Sequence, residues 1–355
     1  MGNIKRLTTT LSSAVGYQLA TSIGDYALFG GGRDRRSTSN PIDTVDAYDR
    51  SLTKSYAPTL YQPMMNGGAS NVGDYAIFIY GKNSKNSYNM YMTWYDKQLS
   101  SGYEFDGSNS RDNCGSASNG EYAIFAGGGC TYNYRTSYYD EVAAYNRSRS
   151  CTRTNLQKVK GYTVGCNLGN YAIFAGGLTT GNVKEDSVDV YDTSLTRLIP
   201  TNLSVAKYDH ASANIGDYAL FAGGYDSGNN ILNSIDVYDT SLTRLTGPQL
   251  STGRYELSGT SINGFAFFAG GINMGGGTPF DLIDIYDTSL TRISNSDSVK
   301  LSSGRVDMSA TSIGNWALFG GGFTGSSYSP SNAIDAFKYV LYPKYQLLKM
   351  YLECK

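Results

Sequence analysis

The nine residues GDYALFAGG at 216–224 decide the fold. In an extended chain successive side chains alternate between two faces, which puts Ala219 and Phe221 on one side and Tyr218 and Leu220 on the other. A strand that is apolar on both faces is covered on both faces. Gly216-Asp217 in front of it suits the positive φ of a tight hairpin turn. Gly223-Gly224 behind it marks a place where the chain turns sharply beside a neighbour and leaves no room for side chains.

The same string returns as GDYALFGGG from 24, GDYAIFIYG from 73, GEYAIFAGG from 120, GNYAIFAGG from 169, NGFAFFAGG from 263 and GNWALFGGG from 314. All seven together start 49, 47, 49, 47, 47 and 51 residues apart, a period that identifies a repeat architecture. A second string follows each copy: VDAYDRSLTK from 45, WYDKQLSS from 94, VAAYNRSRS from 142, then VDVYDTSLTR, IDVYDTSLTR and IDIYDTSLTR from 188, 235 and 283. The last copy, IDAF at 334–337, lacks the continuation.

Each unit reads as four short strands, typified by DHASANI ending at Ile215, YALFAGG, SIDVYD and SLTRL, and none carries a helical apolar period. The class is all-β. Four-stranded antiparallel sheets that each bury both faces against their neighbours, seven times over, meet the requirement of a seven-bladed β-propeller. The seventh unit lacks its fourth strand, and Ile4-Lys5-Arg6-Leu7 resembles the fourth strands of the others. Residues 3–8 are therefore expected to complete the last blade and close the ring, removing an exposed edge. Residues 1–340 form one propeller on this reading. In the remaining 341–355, Leu347, Leu348, Tyr351 and Leu352 share one face of a short helix, which either packs under the propeller or docks another chain.

The composition excludes several classes. With 42 Gly, 31 Tyr and 17% charged residues, the chain is neither a disordered polyampholyte nor a long-helix protein, and a net charge of -1 offers no global field for nucleic acid. No stretch approaches the length of an apolar membrane-spanning helix. The start, MGNIKRLTTTLSS, has a basic front with no apolar run behind it, so no secretion signal is read and a cytoplasmic or virion-associated protein is expected. Five Cys without a C-x-x-C pair and a single His argue against a zinc site or a multi-histidine centre, and no metal or other cofactor is expected.

Gly-Gly at the end of the second strand, an aromatic in the third, and an Arg or Lys nine residues before the hairpin turn make the chain resemble kelch-repeat propellers over nearly its whole length. It departs from them where Leu195, Leu242 and Leu290 replace a fourth-strand Trp. Units this uniform resemble those of bacterial and bacteriophage kelch-like proteins. Long connections leave the Gly-Gly on one side of the ring, and that side is the expected binding face.

Nine residues before the turn the units carry Val15, Met64, Arg111, Lys160, Lys207, Arg254 and Arg305. In kelch domains that bind acidic peptides the Arg of this position contacts the ligand. The resemblance therefore implies that role for Arg111, Arg254 and Arg305, more weakly for Lys160 and Lys207, and an acidic character for the ligand. Alternatively, Asp209, Glu256 and Asp307, two residues further on, pair with these cations in a ring that only organises the rim. Tyr88, Tyr91, Tyr132, Tyr134, Tyr138 and Tyr139 in the long loops form either an adaptable recognition surface or a cover for blade edges. His210 aligns with Gln18, Cys114 and Met308, a packing position.

Among enzymes on kelch-like blades, copper radical oxidases need two His and are excluded. An enzyme similar to sialic acid epimerases needs only Glu and Arg, which keeps Glu256 with Arg254 in play. The expectation is a non-enzymatic module, with no catalytic residue, that binds a protein segment or glycan on one face, as a phage or bacterial surface-recognition or structural component. A sugar epimerase or mutarotase at the channel mouth is the alternative.

Overall fold

The computed structural model describes residues 2–34, 40–79, 81, 89–109, 111–132, 135–273, 277–293 and 299–341, and among these every regular element is a β-strand. Each repeat folds as an antiparallel meander. In the fifth, Ala211–Ile215, Tyr218–Ala222, Ser234–Asp239 and Arg244–Gln249 lie side by side in chain order. The sixth shows three described strands, Ser258–Ile262, Phe265–Ala269 and Ile283–Asp287, and the other repeats four. The innermost strand of every sheet touches its counterparts in the sheets before and after it. Leu19–Ile23 also touches Ser309–Ile313 of the last repeat, so the seven sheets close into a ring, a β-propeller. Small residues of all seven inner strands, such as Ser70, Ser116 and Ser212, line an axial channel where the strands converge.

The packing follows the two-faced second strand. Phe221 meets Tyr238 of its own blade edge-on at 6.0 Å, and Phe174–Tyr191 and Phe268–Tyr286 repeat the pair at 6.0 and 6.1 Å. Third-strand tyrosines then bolt their blades to the preceding ones. The Tyr191, Tyr238 and Tyr286 hydroxyls donate to the carbonyls of Asn155, Thr201 and Gln249, each at 2.8 Å. A buried ring with a satisfied hydroxyl explains why this column is tyrosine rather than phenylalanine.

Two details differ from the sequence reading. The D-T-S-L-T strings are turns: Asp239 Oδ1 accepts the N–H groups of Ser241 and Thr243 at 3.0 and 2.9 Å, and Leu242 sits at φ 60°. Leu195 and Leu290 adopt the same conformation, so these leucines occupy the turn and the outer strands begin later, at Arg197 or Arg244. The closing strand is also longer than residues 3–8. Gly2–Thr10 pairs with Ala333–Leu341 along its whole length, Ile4 opposite Tyr339 and Thr10 opposite Ala333. That third strand of the last blade crosses the expected boundary at 340, and the expected helix lies outside the described residues.

Deleting residues 1–10 strips the outer strand from the last blade. The expected outcome is a fall in Tm of about 10 °C or more, the response of a large domain to losing several kcal/mol; an unchanged melting curve would contradict closure by this strand.

Candidate functional site at the channel mouth

The site begins with the joint between blades. The second Gly of each pair donates its N–H to the next blade: Gly177 to Lys207 O at 2.9 Å, Gly224 to Arg254 O at 3.0 Å and Gly271 to Arg305 O at 2.9 Å. Gly322 closes the circle by donating to Val15 O at 2.7 Å. The first Gly of these pairs holds φ between 64° and 71°, and a Cβ on Gly223 would lie 2.4 Å from Arg254 O. The backbone of the cation column is thus held by the preceding blade.

The side chains of that column point into the blades. Arg111 is 1% exposed, and Lys160, Lys207, Arg254 and Arg305 are 0% exposed. Their partners come from the third strand of the same blade. Lys160 meets Asp189 at 3.2 Å, Lys207 meets Asp236 at 2.9 Å, Arg254 meets Asp284 at 2.8 Å, and Arg305 bonds Asp335. The third blade has Ala143 at the aspartate position, and Arg111 turns to Glu141 at 2.9 Å. Where the column is apolar, Met64 stands opposite Thr93, and Val15 opposite Asp46, which pairs instead with Lys54 of the outer strand at 2.8 Å.

Further hydrogen bonds run from the same guanidinium groups to backbone carbonyls. Arg254 donates to the carbonyls of Thr252 and Phe268, both at 3.1 Å, and Arg305 to those of Gly321 and Ala333 at 2.8 and 2.7 Å. Burial lowers the Lys207 pKa in spite of Asp236. Burial alone would raise the Asp236 carboxyl, but Lys207 and Ser204 hold it below the usual value. The five expected rim cations therefore stitch strand one to strands two and three inside each blade, out of reach of a ligand on the surface.

Two residues on, the chain turns the other way. Tyr17, Asn66, Asn113, Tyr162, Asp209, Glu256 and Asp307 all hold φ between 52° and 56°. This left-handed conformation breaks the alternation of an extended strand, so these residues do not share a face with the cations. Backbone hydrogen bonds link them from blade to blade: Asn113 N to Asn66 O and Tyr162 N to Asn113 O at 2.7 Å, Glu256 N to Asp209 O at 3.1 Å, and Tyr17 N to Asp307 O at 3.2 Å. Tyr17, Asn66, Asp209, Glu256 and Asp307 line one cavity at this end of the ring, with Gln18 and His210 behind them.

An arc of tyrosines lies beside the mouth carboxylates Asp209 and Glu256. Tyr138, Tyr162 and Tyr208 meet edge-on at 6.5 and 6.0 Å, Tyr208 stacks on Tyr225 at 6.0 Å, and Tyr225 lies 4.3 Å from Tyr255. Burial and then Asp209 push the Tyr208 hydroxyl up to about 12, and burial with the neighbouring carboxylates raises Tyr162 and Tyr255 as well.

The six loop tyrosines named from sequence do not gather in one place. Tyr138 joins this arc, and Tyr139 donates its backbone N–H to Gly128 O at 2.8 Å. Tyr91 packs with Tyr61 and Phe105 on the second blade at 4.9 and 5.3 Å. Tyr132 ends the strand Gly129–Tyr132, while Tyr88 and Tyr134 lie outside the described residues. His210 is 5% exposed, its ring 6.1 Å from Phe221, and burial keeps it neutral with a pKa well below the usual value.

A transplant within the chain tests the interior role of the cation column. Lys207→Met removes the fully buried cation from Asp236, leaving it the half-buried Arg244 at 3.5 Å and the Ser204 N–H, and is expected to cost about 3 kcal/mol. Adding Asp236→Thr recreates the Met64–Thr93 pair of the second blade and should recover most of that loss in denaturant melts. A neutral single variant would contradict the role.

No protein-family model matches the chain, and no curated protein sequence matches it. Among solved structures, one titled "Structure of YjhT" superposes with a TM-score of 0.60 at 14% identity, covering 79% of this chain and 96% of that one. At that identity the likeness is one of fold, and it accords with the propeller described above.

Proposed function

We propose that the protein is a non-enzymatic binding module that holds a protein segment or a glycan at the channel mouth. The observation that carries this reading is the contrast between two columns two residues apart. The column of Arg254 faces inward and is internally paired, whereas the column of Glu256 faces the mouth and changes chemistry around the ring, from Tyr through Asn to Asp and Glu. A scaffold that repeats its interior and varies its rim suits recognition. The tyrosine arc adds rigid, amphipathic contact area at low entropic cost. The uniform repeats further support a bacterial or phage surface-recognition context.

Sugar chemistry at Glu256 is the second reading, and the arginine beside it in sequence does not favour it. Arg254 is fully buried and bonded to Asp284, Thr252 and Phe268.

Glycan and peptide arrays test the proposal. Wild type is expected to retain a ligand saturably, and Tyr162→Ala with Tyr208→Ala to weaken it about tenfold or more, as loss of an aromatic anchor does, at unchanged fold. No retention, together with sugar anomer interconversion that Glu256→Gln abolishes, would replace the module by the enzyme.

A further inference from the structure

We propose that the outer part of the second blade is a platform for a neutral glycan, a chain of uncharged sugar rings held on the side wall of the propeller. This site lies on the outermost strand, away from the channel mouth, and neither site requires the other.

The platform begins with an outer strand unlike its counterparts. Ser101–Asn109 runs beside Asn89–Tyr95 and places Ser101 opposite Tyr95, Tyr103 opposite Thr93 and Phe105 opposite Tyr91. On the same face of the other six blades a cation stands beside the third strand: Lys54, Arg153, Arg197, Arg244, Arg292 and Arg6. Most of them pair with an acid of that strand, as Lys54 does with Asp46 at 2.8 Å and Arg292 with Asp284 at 3.2 Å. In the second blade the acid is replaced by Thr93 and the cation by Ser101 and Tyr103. Glu104, on the opposite face, bonds Arg149 of the third blade at 3.1 Å.

Aromatic rings take the place of the charges. Tyr61, from the connection into this blade, stacks on Tyr103 with centroids 3.7 Å apart and planes at 18°. Tyr91 lies 4.9 Å from Tyr61 and 5.3 Å from Phe105, so the four rings are contiguous. The Tyr61 N–H donates to Thr93 Oγ1 at 3.2 Å, which holds the connection against the sheet. Yet Tyr61, Tyr103 and Phe105 are 41%, 55% and 59% exposed. Rings this open contribute little to the core, and contiguous exposed apolar surface marks a place of interaction.

The charge of the patch selects its occupant. A polyanion or a charged peptide finds no counter-charge among the described side chains of this face. An uncharged sugar needs none: its C–H groups lie against the negative face of an aromatic ring, while its hydroxyls stay in water or bond the tyrosine hydroxyls. Rings already stacked on one another lose little entropy when a ligand settles on them.

Affinity electrophoresis tests this in gels containing galactomannan, soluble starch or mixed-linkage glucan, with polygalacturonate as the charged control. Tyr103→Thr with Phe105→Thr removes the platform and keeps strand-forming residues, and Tm checks the fold. If Tm falls, Tyr61→Ser, outside the regular strands, replaces it with the same expectation. Wild type should be retarded by at least one neutral polymer, equally at low and high salt, and the platform variant should bind that polymer about tenfold or more weakly.

The inference is overturned if no neutral polymer retards wild type, if only polygalacturonate does, or if the platform variant is retarded equally. Loss of retardation in the Tyr162→Ala, Tyr208→Ala protein with the platform variant unaffected would assign the polymer to the mouth and also overturn it. Sedimentation at rising concentration addresses the other occupant: a monomer is expected, and a dimer that the platform variant disperses would give the face to a second copy of the chain instead.

Discussion

Everything in this ring hangs on a joint made by two glycines and a carbonyl. The first glycine turns the second strand through positive φ into a space that a Cβ would share with the neighbouring backbone. The second donates its N–H across the gap, as Gly224 does to Arg254 O at 3.0 Å. Hydrophobic burial between blades is large but non-directional. The joint sets the register in which Phe221, Tyr238 and their equivalents interdigitate, and it fixes the start of each inner strand.

That fixed start separates interior from surface within three residues. The joined residue sends its side chain into the blade to an aspartate, and the residue two further on, at positive φ, sends its own to the mouth. Charge inside most blades is matched along this column: aspartate faces Lys160, Lys207, Arg254 and Arg305, Glu141 serves Arg111, and Met64 faces a threonine, while in the first blade Lys54 takes the place of a column cation at Asp46. Breaking one partner of such a buried pair costs far more than replacing both. The mouth column stands outside these pairs, and its chemistry changes from Tyr through Asn to Asp and Glu around the ring.

The ring itself was legible in the sequence because its signal is redundant. Seven copies of a strand apolar on both faces, six of them closed by Gly-Gly, leave few other ways to bury the Phe and Tyr columns. The missing outer strand of the last unit pointed to Ile4–Leu7 as its replacement. What was not legible shares one physical cause. One of the two sequence readings paired Asp209, Glu256 and Asp307 with the cations two residues before them, and Leu195, Leu242 and Leu290 were expected in strands. In both sets a non-glycine residue adopts positive φ, a conformation that residue identity does not announce. The signal available for the mouth was its column, polar or aromatic throughout and different from blade to blade. That column became interpretable only once its direction was seen.

The joint is tested most directly by comparing two glycines with similar backbones and different surroundings. Gly223 holds φ 71° and would place a Cβ 2.4 Å from Arg254 O, whereas Gly181 holds φ 83° with nothing within 4 Å of its Cβ position. Denaturant melts of Gly181→Ala should show only the backbone penalty of about 1–2 kcal/mol. Gly223→Ala should lose several kcal/mol more, because the next blade must be pushed away. Equal losses in the two variants would contradict the claim that the blades are registered by this contact.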